Sequence, residues 1–401
     1  MNHRYIIVTT LALVAFWLSS CHLNLNNHNN GNGGNEQDTV IYKIATSSKL
    51  PPGLSVNTLK AKANDIDGDG DDDIILAVQY QRNKILINDG SGHFSDESAS
   101  RLPAQQYDTR DLAIADFNSD GNPDLLFVNN QNQNNELYIN GGKGKFSDLS
   151  NRIPVTGTFT TVATADINGN GIIDIMIGGV GQNLALINNG NAFFTNQTTD
   201  RLPGRLDKTQ DITFADITGD GQLDIVVANE DANRALINAG SGFFTDQTSS
   251  RIPFINEIEE TRDINIADLN FDGTFDLFFG NSGFQSGSNA QDRLLINNGS
   301  GVFSDQTSER LPSLSTDTFD AAMADLDKDG DLDLIVGNYN GGVRILINNG
   351  SGYFADQTAS WIPGNFYPHV ADIEVADYNR DGSLDIYLAV HDGQDQLLLH
   401  K

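Results

Sequence analysis

An acidic nine-residue loop recurs seven times at a spacing of about fifty residues, from DIDGDGDDD at Asp65 to DYNRDGSLD, which ends at Asp385. Between them lie DFNSDGNPD from Asp116, DINGNGIID from Asp166, DITGDGQLD from Asp216, DLNFDGTFD from Asp268 and DLDKDGDLD from Asp325. A chain that repeats one loop at one period must build one supersecondary unit repeatedly, which rules out most single-core folds.

All seven loops begin and end with Asp and carry Gly at the sixth place. Oxygen side chains at positions one, three, five and nine converge if the backbone turns sharply at that Gly, and a carbonyl at position seven can complete the shell. Such a set suits a hard cation, Ca2+ first, with up to seven ions. The candidate ligands are Asp65, Asp67, Asp69 and Asp73; Asp116, Asn118, Asp120 and Asp124; Asp166, Asn168, Asn170 and Asp174; and Asp216, Thr218, Asp220 and Asp224. The last three loops offer Asp268, Asn270, Asp272 and Asp276; Asp325, Asp327, Asp329 and Asp333; and Asp377, Asn379, Asp381 and Asp385. The first and sixth loops carry four ligand Asp residues and should bind most tightly. Thr218, and Asn168 with Asn170, should weaken the fourth and third. An EF-hand would need Glu at position twelve and a helix after it. Leu76, Phe127, Ile177, Val227, Phe279, Val336 and Leu388 stand there instead.

Each loop is followed by a short apolar run such as DIVVAN or DLIVGN, which reads as a strand buried on both faces. A second element, ILINNGSGYFADQT and its five relatives, reads as two strands around an Asn/Gly hairpin. One period is then inner strand, metal loop, second strand, loop, third strand, hairpin and fourth strand. Four antiparallel strands per period point to an all-β fold, a seven-bladed β-propeller. The seventh unit stops at QLLLHK without a fourth strand, while YKIATSSKLP near the other end lines up with FTDQTSSRIP at Phe244. The N-terminal segment is therefore expected to close the last blade, leaving no unpaired blade at the seam.

These loops and hairpins resemble the FG-GAP and VCBS repeats of the integrin-alpha-like β-propeller family, over about residues 40 to 401. The resemblance implies calcium at the matching loop positions. Its implications for activity are broad, since the family includes adhesion receptors, lectins, surface proteins and accessories to enzymes.

Three segments are expected: a signal peptide over 1–20, a tether over 21–38 and the propeller over 39–401. Arg4 precedes an apolar run too short to span a bilayer, and LSSC follows it. This resembles a bacterial lipoprotein signal, with the sole cysteine, Cys21, as the acylated residue. HLNLNNHNNGNGGNEQD after it lacks apolar patterning and reads as a flexible tether. The expected location is the bacterial cell envelope, lipid-anchored, with the outer membrane favoured over the inner. Membrane contact is through the lipid alone.

A net charge of −30 argues against nucleic-acid or anionic-membrane partners. A monomer is expected. Chain direction puts the metal loops and hairpins on one face and the more variable blade links on the other, where binding residues belong. The candidates there are Phe284, Tyr339, Asn340, Trp361, Phe366, Tyr367, His369, His391 and Asp392. Trp361 fills a slot held elsewhere by Lys49, Arg101, Arg152, Arg201, Arg251 and Arg310, basic residues read as structural at blade junctions. Asp111, Asp211, Asp263, Asp320 and Asp372, five residues before their metal loops, are read as hydrogen-bonding across inner strands. The expected function is a binding or adhesion module for a glycan or protein. A scaffold subunit of an envelope complex is the alternative, and a polysaccharide lyase using His369 or His391 as base is a third. No catalytic residues are assigned, and no enzyme is expected.

Overall fold

The apolar run after each acidic loop forms the second strand of a four-stranded antiparallel sheet. In the first blade the strands are Thr58–Asn64, Asp73–Gln81, Lys84–Asn88 and Phe94–Asp96, paired in that order. The structure, a computed structural model, describes residues 40–253, 259–284, 290–313 and 317–401. The expected signal segment, Cys21 and the tether lie outside the described residues, as does the middle of the loop between Asn281 and Asp292.

Burial on both faces explains why the second strands lack a polar side. Ile225 and Val227 pack into a cluster shared with the third blade, whereas Val226 and Ala228 pack into one shared with the fifth. Cohesion therefore runs between neighbouring sheets, as period-two side-chain alternation dictates.

The inner strands Thr58–Asn64, Tyr107–Ala115, Phe159–Ala165, Asp207–Ala215, Glu260–Ala267, Thr318–Ala324 and Val370–Ala376 touch one another in sequence. The last also touches the first, which closes the ring. The final blade consists of Val370–Ala376, Asp385–Val390, Gln396–His400 and, from the other end of the chain, Tyr42–Ile44. Tyr42 pairs with His400 and Ile44 with Leu398. The fold is the expected β-propeller, with the N-terminal strand completing the seventh blade.

The outer edge differs from the sequence reading. Each fourth strand is short, three residues in Phe94–Asp96, and gives way to a helical turn such as Ser98–Arg101. Asp96 Oδ1 accepts the Ser98 N–H at 3.0 Å and turns the chain there, as Asp246 does for Thr248 at 3.1 Å. The basic residue thus ends a helical turn, not a strand, and its side chain reaches the metal-loop face. Arg201 Nη1 donates to the Ser241 and Gly242 carbonyls in the next blade's hairpin at 2.7 and 3.1 Å. Lys49, Arg101, Arg152, Arg251 and Arg310 reach Ser91, Lys143, Asn191, Ser300 and Ser351 in the same way.

Trp361 departs from that pattern for a topological reason, and its placement corrects the sequence expectation. The seventh blade is completed by the N-terminal strand, so no hairpin carbonyls face this slot. Trp361 is 6% exposed and packs on Tyr42, whose hydroxyl donates to the Leu384 carbonyl in the seventh metal loop at 2.9 Å. It is a seam residue, not part of a binding surface.

Candidate functional site

Within each acidic loop the position-one Asp folds the backbone around itself. One of its oxygens accepts the N–H of the position-six Gly in all seven loops, at 2.6 to 3.1 Å. Those glycines hold φ between +82° and +98°, as Gly382 and Gly330 show at the extremes, a region that penalises any Cβ. The position-five side chain accepts the N–H of position seven in every loop, at 2.8 to 3.2 Å.

Position nine ties the loop to its blade. Asp73 Oδ1 accepts the Asn88 N–H at 2.9 Å and Oδ2 the Ile66 N–H at 3.2 Å. The last residue of the third strand donates likewise to Asp124, Asp174, Asp224, Asp276, Asp333 and Asp385, at 2.7 to 2.9 Å. The Asn side chain then reaches the preceding blade, as when Asn140 Nδ2 donates to the Ile66 carbonyl at 2.8 Å. The acidic loops are thereby part of the blade junctions.

Among the described residues, two groups of acids could hold a metal ion: Asp65, Asp67 and Asp73 in the first loop, and Asp325, Asp327 and Asp333 in the sixth. Their ligand oxygens lie within 4.8 Å of one another. These are the two loops with the most acidic ligand sets, as read from sequence. Asp69 and Asp329, the position-five acids, stand outside the groups. Asp67 Oδ1 and Asp325 Oδ1 are buried without a hydrogen-bond partner, so the donor set fits a hard cation. Burial pushes the Asp73 and Asp333 carboxyls up to about 7, against the N–H bonds they accept and with help from neighbouring carboxylates. Elsewhere the Asn at position three donates to a loop acid: Asn168 Nδ2 to Asp174 Oδ2 at 3.1 Å, and Asn118 Nδ2 to Asp120 Oδ2 at 2.9 Å.

The axis of the ring holds the second array. Asp111, Asp211, Asp263, Asp320 and Asp372 accept backbone N–H groups from Val162, Ile264, Ala321, Ile373 and Ala61, each on another blade, at 2.8 to 3.1 Å. This is the cross-blade bonding expected from sequence. Lys60 and Thr161 replace Asp in the first and third blades. Lys60 pairs with Asp320 at 3.0 Å and with Asp372, and Thr161 Oγ1 donates to Asp211 at 3.4 Å. Burial, followed by the charge of Asp211, pushes the Asp263 carboxyl up to about 8.

A β-bulge precedes each of these positions, so that Leu59, Arg110, Thr160, Gln210, Arg262, Phe319 and Ala371 are displaced from the ladder. A bulge re-aims side chains. All seven of these residues meet the carboxylates at a pit of ≈ 150 Å³ near the start of the inner strands. That end of each strand is opposite its acidic loop.

Beside the pit the aromatic candidates come together. The Tyr339 ring lies 5.0 Å from His369 in a stacked arrangement, 5.3 Å from Phe284 and 5.4 Å from His391. Phe319 stacks on Tyr339 at 5.1 Å and meets Phe284 edge-on at 5.5 Å. Phe284 is 47% exposed and Tyr367, in the neighbouring link, 70%. Asn340 Nδ2 donates to Asp317 at 3.1 Å, and His391 Nδ1 stands 2.9 Å from the exposed Asp392 carboxylate. Phe366 leaves the group, because it packs into the core between the last two blades. Phe319 was missed by sequence reasoning. The signal that marks it is its place one residue before the Asp at the start of the inner strand, where residue type varies among otherwise similar repeats.

No curated protein sequence matches the chain. Among solved structures, BBS1N in complex with ARL6DN, from a lead-soaked crystal, is 14% identical, with 87% of this chain and 94% of that one covered and a TM-score of 0.55. The extracellular domain of a one-component system of B. thetaiotaomicron is 12% identical, over 90% of this chain and 40% of that one, with a TM-score of 0.53. An Agrocybe aegerita lectin, described as recognising non-reducing terminal N-acetylglucosamine, is 20% identical over 75% of this chain and 79% of that one, with a TM-score of 0.48. At 12 to 14% identity the first two show a shared fold. FG-GAP-like repeats match residues 65–127, 116–177, 166–227, 216–279, 283–336 and 325–388, each of the first four running from one metal loop into the strand after the next. With most of its length so matched, the chain belongs to the FG-GAP-like repeat family.

Proposed function

We propose that this protein is a calcium-stabilised binding module of the bacterial envelope, anchored by lipid at Cys21 and acting as a monomer. Its ligand is a glycan or a protein, taken on the face opposite the metal loops. The observation that carries this reading is the cluster of Phe284, Phe319, Tyr339, His369 and His391, contributed by three blades and partly open to solvent. Rigid aromatic rings on a preformed scaffold bind with little loss of side-chain entropy. Calcium would be held by the first and sixth loops foremost, where it would neutralise crowded carboxylates and bridge blade junctions.

Glycan arrays and envelope-protein pull-downs with protein lacking residues 1–38 test the reading. Binding should fall in Tyr339→Ala and persist in Phe243→Ala, which lies on the hairpin side. The opposite pattern would move the site to the metal-loop face. Capture of a stoichiometric envelope protein without any glycan hit would favour a scaffold. The His391–Asp392 contact beside Tyr339 is what a lyase would use as base and orienting acid; unsaturated products from a uronate polymer would favour that reading.

A further inference from the structure

The aromatic cluster and the axial pit share a wall. Phe319 both stacks on Tyr339 and lines the pit, and the Arg262 guanidinium lies 5.2 Å over the Phe319 ring from within it. A ligand lying on Tyr339 and His369 is therefore led to the axis of the ring.

The chemistry of the pit selects what can end there. Arg110, Arg262 and Lys60 line it together with Asp111, Asp211, Asp263 and Asp320, the last paired with Lys60 at 3.0 Å. Arg262 Nη1 donates to Gln210 Oε1 at 2.9 Å and its other terminal nitrogen pairs with Glu260, while Arg110 pairs with Asp108 at 3.0 Å. The lining thus carries both donors and acceptors. A free anion meets the carboxylates and a free cation meets the guanidinium groups, so each sign of charge is opposed by part of the lining. A neutral group with several adjacent hydroxyls can donate to the carboxylates, accept from the arginines, and lay its C–H face on Phe319.

Resting on the proposed second-face site, we infer that its ligand is a neutral glycan whose terminal pyranose enters the axial pit against Phe319 while the next sugar residues lie on Tyr339 and His369. Recognition is then of chain ends, because the pit is centred on the axis and the platform approaches it from one side.

Calorimetric titration of the full chain in mild detergent tests this, using neutral, uronic and amine-bearing oligosaccharides of matched length and the corresponding monosaccharides. The neutral oligosaccharide should bind at least tenfold more tightly than the other two. Phe319→Leu, which keeps an apolar side chain and removes the π-face, should weaken both monosaccharide and oligosaccharide at least fivefold. Tyr339→Ala should weaken the oligosaccharide and spare the monosaccharide. Capping the terminal sugar with a bulky aglycone should abolish binding. If a ligand is lost in Tyr339→Ala but unchanged in Phe319→Leu, the second-face site stands and the pit does not take the chain end. If charged glycans or peptides bind in preference, the neutral-glycan assignment is wrong. Binding insensitive to both variants removes both readings.

Discussion

The Trp361 ring packs against Tyr42 with centroids 6.0 Å apart, across the seam where the two ends of the chain meet. In the other blades this slot carries a basic side chain that bridges to the next hairpin, and the bridge secures one blade to its neighbour. At the seam an apolar contact replaces it. Tyr42 also meets His400 edge-on at 5.6 Å, so the closing strand is held by its side chains as well as its ladder.

Trp361→Ala should lower the unfolding free energy by about 3 kcal/mol or more, the usual cost of emptying a buried aromatic site. Ligand binding should be unaffected at temperatures where the variant is folded. Urea unfolding together with titration against the second-face ligand checks both halves.

Chelation should lower the melting temperature by many degrees if calcium bridges the junctions as proposed, since removing a ligand bound to the native state costs its binding free energy. Asp333→Asn should lose more of the calcium-dependent shift than Asn168→Ala, because the sixth loop gathers three carboxylates and the third does not. Native mass spectrometry and melting curves with and without EDTA decide it. An unchanged melting curve with no bound metal would falsify the calcium assignment.

Lys60 stands between Asp320 and Asp372 on the axis. Lys60→Met should destabilise the protein by about 3 kcal/mol, because it leaves two buried carboxylates without their cation. Adding Asp372→Asn should recover part of that loss. A double-mutant cycle in urea measures the coupling, and an additive result would show that the pairing is weak.

The chelated protein should become less stable as pH rises from about 5 to 8. Burial foremost raises the carboxyls of Asp292 and Asp395 to about 7, and that of Asp263 to about 8. Each then holds a proton in the folded state that the unfolded chain, with an ordinary Asp near 4, has released. The folded state binds more protons through this window, so stability declines as pH climbs towards the folded values. Melting temperatures in EDTA across that range should fall monotonically. Calcium should oppose the trend, since protons compete with it for the loop carboxylates.

The loops, the blades and the closing strand could be read from the sequence because each depends on local spacing. Gly at position six reports a required backbone angle, the runs after each loop report burial on both faces, and the missing hairpin after His400 reports where the first strand must go. The helical turn after each fourth strand was not legible, since a single Asp-to-Ser or Asp-to-Thr contact such as that at Asp96 and Ser98 diverts a stretch that otherwise reads as strand. Nor could spacing say which residues meet across blades. Trp361 and Tyr339 both looked like surface aromatics in the repeat, yet ring closure buried one against Tyr42 and set the other beside Phe319 and His369. A fifty-residue period carries the order of the strands along the chain. Contacts between residues at the two ends, or around an axis shared by seven blades, exist only once the ring has closed.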